Sequence, residues 1–262
     1  MVVIAVSDIH LGYKHSDKPA FRDFLDKVAS RTDVSDLVIL GDFVDMWRRD
    51  ASGVFLENSD IIERLAVLGR KMSVHMIAGN HDFHTLQLKN HGYPFPFLKS
   101  LRLERDGKRY RFLHGHEWDP LQRPVFMEGL CHLMSDRAGG DLSAVWNIIS
   151  AGQGLFGKFK LPKGFGRKRT LENLTTLLKP PQSRLRRTVG EIEKKACRSE
   201  RKDEILVFGH THRPFVNKKE NVVNTGSWVK DARVHNTFAE LLADKISLNI
   251  FGGSEVTERV EC

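Results

Sequence analysis

The sequence contains no apolar run approaching the ~20 residues that cross a bilayer; its longest stretches, such as Val2 to Val6 and Leu37 to Leu40, are far shorter. A spanning helix is therefore not expected. Nor does Met1 open onto a basic n-region and a small-residue cleavage site: the chain passes directly into a strand-like run ending in Asp8. Export is not expected, and the reading is cytoplasmic. Cysteine is scarce, with Cys131, Cys197 and Cys262 widely spaced, odd in number and without a C-x-x-C pair, which fits a reducing compartment. Cys131 precedes His132 but lacks partners at metal spacing, so it reads as a buried structural thiol. Internal repeats are lacking, as are low-complexity tracts outside one basic segment.

What is present belongs to an ordinary globular chain. Hydrophobic residues make up 40% and charged residues 28%, which excludes wholesale disorder and a fibrous architecture. A length of 262 residues suits one principal core over 1–262, an α/β domain carrying an insertion. Net charge is +8. Between Phe156 and Lys202 fifteen Lys/Arg stand against four Glu, so the basicity belongs to that segment and the remainder is slightly acidic.

Apolar spacing gives the order of elements. Val2 to Ser7 and Asp36 to Leu40 read as short buried strands flanking a helix from Ala20 to Ser30, a βαβ unit. A helix around Asp60 to Gly69 and a strand from Ser73 to Ala78 continue it. Asp106-Gly107 sits between two alternating runs, Leu101 to Glu104 and Arg109 to Leu113, as a hairpin requires. From about Trp118 to Asp203 strands stop, and helical stretches, a Gly/Pro/Lys-rich run and a helix from Leu185 to Arg198 read as a helical, basic cap insertion over 118–203. Ile205 to Phe208 resumes a sheet, and Phe215 to Val223 and Thr237 to Phe251 read as antiparallel hairpins.

Metal-type side chains follow the strands. Asp8 and His10, Asp42, Asn80 with His81 and Asp82, His114, and His210 and His212 each come where an expected strand ends. In open α/β sheets ligands collect outside the carboxyl ends of strands, so groups some 200 residues apart can meet. Asp-x-His on extended backbone would place both side chains on one face, and His210-Thr211-His212 shares that spacing unless a loop turns the imidazoles apart. Mixed oxygen and imidazole donors suit Mn²⁺, Fe or Zn²⁺ better than an all-oxygen ion. A pair of such ions activates water and neutralises charge on a phosphoryl group.

The ordered set Asp8-x-His10, Gly41-Asp42, Gly79-Asn80-His81-Asp82, His114 and Gly209-His210-x-His212 resembles the calcineurin-like metallophosphoesterase superfamily. That resemblance implies a four-layer α/β/β/α sandwich of two mixed sheets with a helical cap insertion. It also implies two divalent ions, Mn²⁺ expected and Fe, Zn²⁺ or Mg²⁺ as alternatives. Asp8, His10 and His212 would hold one ion, Asn80, His114 and His210 the other, and Asp42 both. His81, helped by Asp82, would stabilise or protonate the leaving oxygen. Asp45 and Trp47 line the pocket or pack its wall, and Asn224 to Trp228 support the metal site.

Finer motifs, among them Gly41-Asp42-x-x-Asp45-x-Trp47 and Gly-His-Thr-His-Arg-Pro ending at Pro214, are similar to UDP-2,3-diacylglucosamine pyrophosphate hydrolases, which carry Arg where this chain has His81. The apolar stretch Leu142 to Phe159 beside a basic run would suit an amphiphilic phosphate compound. His84, His116, Lys158, Lys160, Lys163, Arg167 and Arg169 are the candidate substrate contacts. The expected partner is a phosphate-containing small molecule or lipid-linked substrate, with peripheral membrane contact open and no oligomeric state indicated. The alternatives are a nuclease acting on DNA or RNA through the basic cap, and a catalytically silent metal-binding scaffold. His15, His75, His91, His132 and His235 read as structural.

Overall fold

The structure is a computed structural model and describes residues 1–90, 92–119, 182–199 and 203–253. Alternation within the strands decides its layers. In β1 (Val2–Val6), Val2, Ile4 and Val6 join one core cluster while Val3 and Ala5 join another. In β2 (Val34–Leu40), Leu37 and Ile39 point to the first cluster, Val38 and Leu40 to the second. A sheet apolar on both faces must be covered on both.

Helices cover the first face. Phe21, Phe24, Leu25 and Val28 are buried at helical spacing on α1 (Lys18–Ala29), which Asp17 caps by accepting the Ala20 N–H. Asp50 caps α2 (Ala51–Glu57) through the Gly53 N–H at 2.7 Å, and α3 (Ser59–Leu68) buries Ile61, Leu65 and Leu68. With β3 (Ser73–Ile77), β4 (Phe97–Leu98), β10 (Thr237–Leu241) and β11 (Ile246–Ile250), the first sheet runs β11-β10-β1-β2-β3-β4. β1 to β4 are parallel neighbours, and β10 lies antiparallel on β1 with Ala239 opposite Ala5.

The second face is covered by another sheet. It contains β5 (Leu101–Arg105), β6 (Lys108–Phe112), β7 (Ile205–Phe208), β8 (Phe215–Asn217) and β9 (Val222–Asn224) in the order β5-β6-β7-β9-β8, with β6, β7 and β9 parallel. Tyr110, Phe112, Val207 and Val223 face the first sheet. Leu206, Phe208, Phe215 and Val222 face outward onto Ala196 and Cys197 of α4 (Gln182–Arg198). Helices, sheet, sheet and helix make the expected four-layer α/β/β/α sandwich.

Asp106 and Gly107 form the expected hairpin turn, both at positive φ, 49° and 73°. Sequence periodicity missed α2 and a 3₁₀ stretch at Phe83–Asn90, and it did not indicate that the last hairpin returns to the first sheet. Cys197 is buried and disulfide-bonded, a departure from the expected reduced thiols. Cys131, His132, His91 and the run Leu142 to Phe159 lie outside the described residues. Among the described residues no helix is long and apolar enough to cross a membrane.

An ion pair ties the two sheets at the end opposite the carboxyl ends of β1 to β3. Asp36, fully buried on β2, accepts from Arg105 of β5 at 2.8 and 2.9 Å, from Ser35 at 2.8 Å and lies 3.0 Å from His75 Nε2. Burial pushes the Asp36 carboxyl up, but His75, Arg105 and Ser35 outweigh it and hold the group at about 2. A depressed folded-state pKa gives stability that is present above the ordinary carboxylate range and lost as pH falls toward about 2. Asp36→Asn should therefore lower the unfolding free energy at pH 7 by on the order of 3 kcal/mol. The gap from wild type should narrow at acid pH, and urea melts of both proteins at pH 7 and below pH 4 check both statements.

Candidate metal centre

Both sheets bring the carboxyl ends of their parallel strands to one edge. Asp8 and His10 follow β1, Asp42 follows β2, Asn80 and His81 follow β3, His114 follows β6, and His210 and His212 follow β7. The expectation that Asp8 and His10 share a strand face is not met. Asp8, His10, Asp42, His210 and His212 all have φ between 50° and 67°, in the left-handed region. Asp and His enter that region more readily than most residues, at a cost of about 1–2 kcal/mol each. What holds them is the adjoining strand ends: Asp8 N–H donates to Gly41 O, His10 N–H to Asp42 O, and His210 N–H to Asp8 Oδ2 at 2.8 Å, the last joining the two sheets.

The side chains so aimed form two clusters, Asp8 with His10 and His212, and Asp42 with His114 and His210. In the first, His212 Nε2 lies 3.1 Å and His10 Nε2 3.7 Å from Asp8 Oδ1, with the two imidazole nitrogens 3.3 Å apart. In the second, His114 Nε2 lies 3.4 Å from Asp42 Oδ2 and 3.1 Å from Asn80 Oδ1. Asp42 Oδ2 is also 3.6 Å from His10 Nε2, so one oxygen reaches both clusters. Atoms sharing one ion at ~2.1 Å stand about 3.0–3.4 Å apart; the His212–Asp8, His10–His212, His114–Asp42 and His114–Asn80 distances fall in that range, and His10 Nε2 stands slightly farther from Asp8 and Asp42, at 3.7 and 3.6 Å.

Hydrogen bonding leaves the same atoms free for a cation. His114 Nδ1 faces Leu40 O at 2.7 Å and His10 Nδ1 faces Asp45 Oδ2 at 3.1 Å. Each partner only accepts, so each Nδ1 carries the proton and each Nε2 presents a lone pair to further acceptors. Asp8 Oδ1 is buried and, among the described residues, has no hydrogen-bond partner. Positive charge is what this arrangement lacks. The polypeptide alone supplies it with protons: burial opposes the charge, yet Asp45 and Asp8 push His10, and Asp42 pushes His114, up to about 10. Burial likewise pushes Asp8 up, but His212 and His10 hold it well below the usual carboxylate range. A divalent cation would replace those protons.

A third group, His10, Asp45 and His81, is a hydrogen-bonded cluster and not an ion site, since both imidazoles turn Nδ1 toward Asp45 at 3.1 Å. His81 Nε2 then points back to the centre, 4.0 Å from Asp42 Oδ2, and Trp47 stacks on the His81 ring at 4.1 Å. Here the expectation for Asp82 needs correction. Asp82 lies beneath the turn, accepting N–H groups of Gly79, Asp42, Phe43 and Val44, while the carboxylate facing His81 is Asp45. Burial and Asp42 push the Asp82 carboxyl up to about 7 despite those amides. Asp45 is fully buried, and burial is outweighed by His81 and His10, which keep it ionised.

The other candidates are placed unevenly. His116 is buried 5.4 Å from the His114 ring, pushed down to about 4 by burial with Glu117 opposing. His84 is half-buried on the 3₁₀ stretch, and neither belongs to the clusters above. Lys158, Lys160, Lys163, Arg167 and Arg169 lie outside the described residues. Asp119 Oδ2, 3.3 Å from His210 Nε2, was missed by sequence reading because no motif marks it. Asn224 braces the last loop by donating to Gly209 O and Thr211 Oγ1.

Comparison with known proteins bears on this centre. A family model described as calcineurin-like phosphoesterase matches residues 1–214. A UDP-2,3-diacylglucosamine hydrolase of Hahella chejuensis is 36% identical over 86 residues, 32% of this chain and 34% of that protein, so the match spans about a third of the relative's length. Similar solved structures include a novel archaeal phosphodiesterase, at 14% identity and TM-score 0.45 over 95% of this chain and 98% of that one. Vacuolar Protein Sorting 29 from Cryptosporidium parvum is similar at 13% identity and TM-score 0.45, over 94% and 88% of the two chains.

The closeness of the turn itself is testable. A Cβ at Gly79 would lie 2.1 Å from Asp42 Oδ1 and 2.5 Å from Asp42 N, leaving no room for a methyl group. Gly79→Ala should lower stability by about 2 kcal/mol and weaken metal binding, read by thermal unfolding and Mn²⁺ titration.

Proposed function

The chain belongs to the calcineurin-like phosphoesterase family, hydrolases of phosphoester bonds, and from that premise we propose that its centre holds two divalent cations and hydrolyses a phosphodiester, phosphomonoester or pyrophosphate bond. The observation that carries the two-ion reading is Asp42 Oδ2, 3.6 Å from His10 Nε2 and 3.4 Å from His114 Nε2. Asp8, His10 and His212 would hold one ion, Asn80, His114 and His210 the other, and Asp42 would serve both. When bound, such ions gather a phosphoryl group, lower the pKa of water and offset charge on the phosphoryl oxygens. Mn²⁺ is the expected ion for this mixed donor set, with Fe, Zn²⁺ and Mg²⁺ as alternatives.

The chain's own part is proton handling and orientation. His81 donates through Nδ1 to Asp45 and aims Nε2 at the centre, where the doubly protonated ring would stabilise or protonate the leaving oxygen; burial works against that charged form, and Asp45 and Asp42 favour it. Asp45 fixes the tautomer and ring angle of both His81 and His10, and Trp47 covers one ring face against water. Asp82 supports the Gly79 and Asp42 backbone and acts through it.

For substrate, we propose a nucleotide-linked or amphiphilic phosphate compound similar to UDP-2,3-diacylglucosamine. The Hahella relative and the apolar and basic stretches of the sequence support that reading. In it, residues 118–203 form a cap within a single domain, and Lys158, Lys160, Lys163, Arg167 and Arg169 clamp the anionic part.

His81→Ala should retain both Mn²⁺ equivalents and lose roughly 100- to 1,000-fold in kcat, whereas Asp42→Ala should lose metal and activity together. Metal titration beside hydrolysis of an aryl phosphodiester separates the two; equal metal loss in His81→Ala would refute the assignment. A panel of nucleotide-sugar lipids, nucleotides, cyclic dinucleotides and single-stranded DNA then tests the substrate class, with preference for DNA supporting the nuclease instead.

A further inference from the structure

The loop carrying His210 and His212 holds both residues at left-handed φ, 67° and 55°, so something outside it must supply its anchorage. Part of that anchorage comes from an unexpected direction. Glu193 on α4, the helix that returns from the insertion, is only 3% exposed on an otherwise strongly basic helix. Its Oε1 accepts from Thr211 Oγ1 at 3.3 Å and its Oε2 from Arg213 Nη1 at 3.3 Å. Thr211 stands between the two histidines, and its Oγ1 in turn accepts from Asn224 Nδ2 at 2.9 Å. One hydroxyl thus joins the ligand loop to the sheet on one side and to α4 on the other.

Docking α4 does not need this carboxylate, because Ile192, Ala196 and Cys197 already bury an apolar face of the helix. A buried carboxylate costs free energy unless it is bonded, and burial does push the Glu193 carboxyl up, with Arg213 and Thr211 opposing. Among the described residues its side-chain partners, Thr211 and Arg213, are both in the His210 to Arg213 segment. Lys195 of the same helix donates to Trp118 O at 3.0 Å, where the chain enters the 118–203 segment. We infer that Glu193 is a positioning residue for the His210-Thr211-His212 loop, making the return helix of the insertion part of the scaffold of the metal centre. This rests on the two-ion reading above for its consequence, though not for the contact itself.

Two variants of similar volume separate the roles: Glu193→Leu keeps bulk without an acceptor, and Glu193→Gln keeps an acceptor without the charge. The readouts are amide hydrogen exchange across residues 209–213, Mn²⁺ titration, and kcat against KM. Glu193→Leu should exchange faster in that segment, bind Mn²⁺ about 10- to 100-fold more weakly and lose kcat with little change in KM. Glu193→Gln should stay within about fivefold of wild type, as expected for one altered hydrogen bond. If Glu193→Leu loosens α4 as well, Thr211→Val removes the donor without touching the helix; because it also removes the acceptor of Asn224, the double variant Glu193→Leu/Thr211→Val is its control, and 209–213 should exchange no faster in the double variant than in Thr211→Val. Wild-type exchange in Glu193→Leu or Thr211→Val, or equal impairment in Glu193→Leu and Glu193→Gln, would overturn the inference. A wild-type protein that bound no Mn²⁺ would sink the two-ion reading, while the exchange comparison would still decide the role of Glu193.

Discussion

Lone pairs outnumber protons around Asp42, and the rest of the structure is arranged to keep them there. His10 and His114 spend their Nδ1 protons on Asp45 and Leu40 O, so their Nε2 atoms meet carboxylate and amide oxygens across gaps that an added positive charge, a proton or a cation, must fill. Left to itself, such a cluster would turn its side chains outward to water. Two packed sheets, burial of Asp8 and Asp42, and five left-handed residues at three strand ends prevent that. Strain and electrostatic repulsion concentrated in this way are the local counterpart of affinity for cations.

The two sheets are held at both ends by chemically different contacts. At one end the Asp36–Arg105 pair bridges β2 and β5 and plays no part in the centre. At the other, Asp8 Oδ2 accepts the His210 N–H, and Trp228 N–H donates to Asp8 O. The same carboxylate that belongs to the candidate ion site thus also sets the distance between the sheets. Between the ends, the interdigitated residues Val3, Ala5, Val38 and Leu40 against Tyr110, Phe112, Val207 and Val223 fix the layer spacing.

Two buried aspartates near His81 divide their work by what surrounds them. Asp45 meets imidazole N–H groups and stays ionised; Asp82 meets backbone amides and the charge of Asp42, and its carboxyl is pushed up to about 7. Both are buried aspartates, and what differs is their partners, which for Asp45 include the Arg48 guanidinium. Glu193 is a third instance, a carboxylate whose meaning depends on Thr211 and Arg213 reaching it from another element.

By itself the sequence determined which polar residues follow the strand ends, because strand alternation and the groups that come after each strand are local properties written in neighbouring letters. The β-hairpin at Asp106-Gly107, the helix ending at Arg198 and the order of ligand-bearing strand ends were legible for that reason. Tertiary structure alone decided that Asp45 and not Asp82 faces His81, that Asp8 and His10 leave the strand conformation, and that β10 closes the first sheet beside β1. Each of these depends on which element arrives opposite another, and hydrogen-bond partners contributed from 35 to more than 200 residues away leave no trace in local spacing.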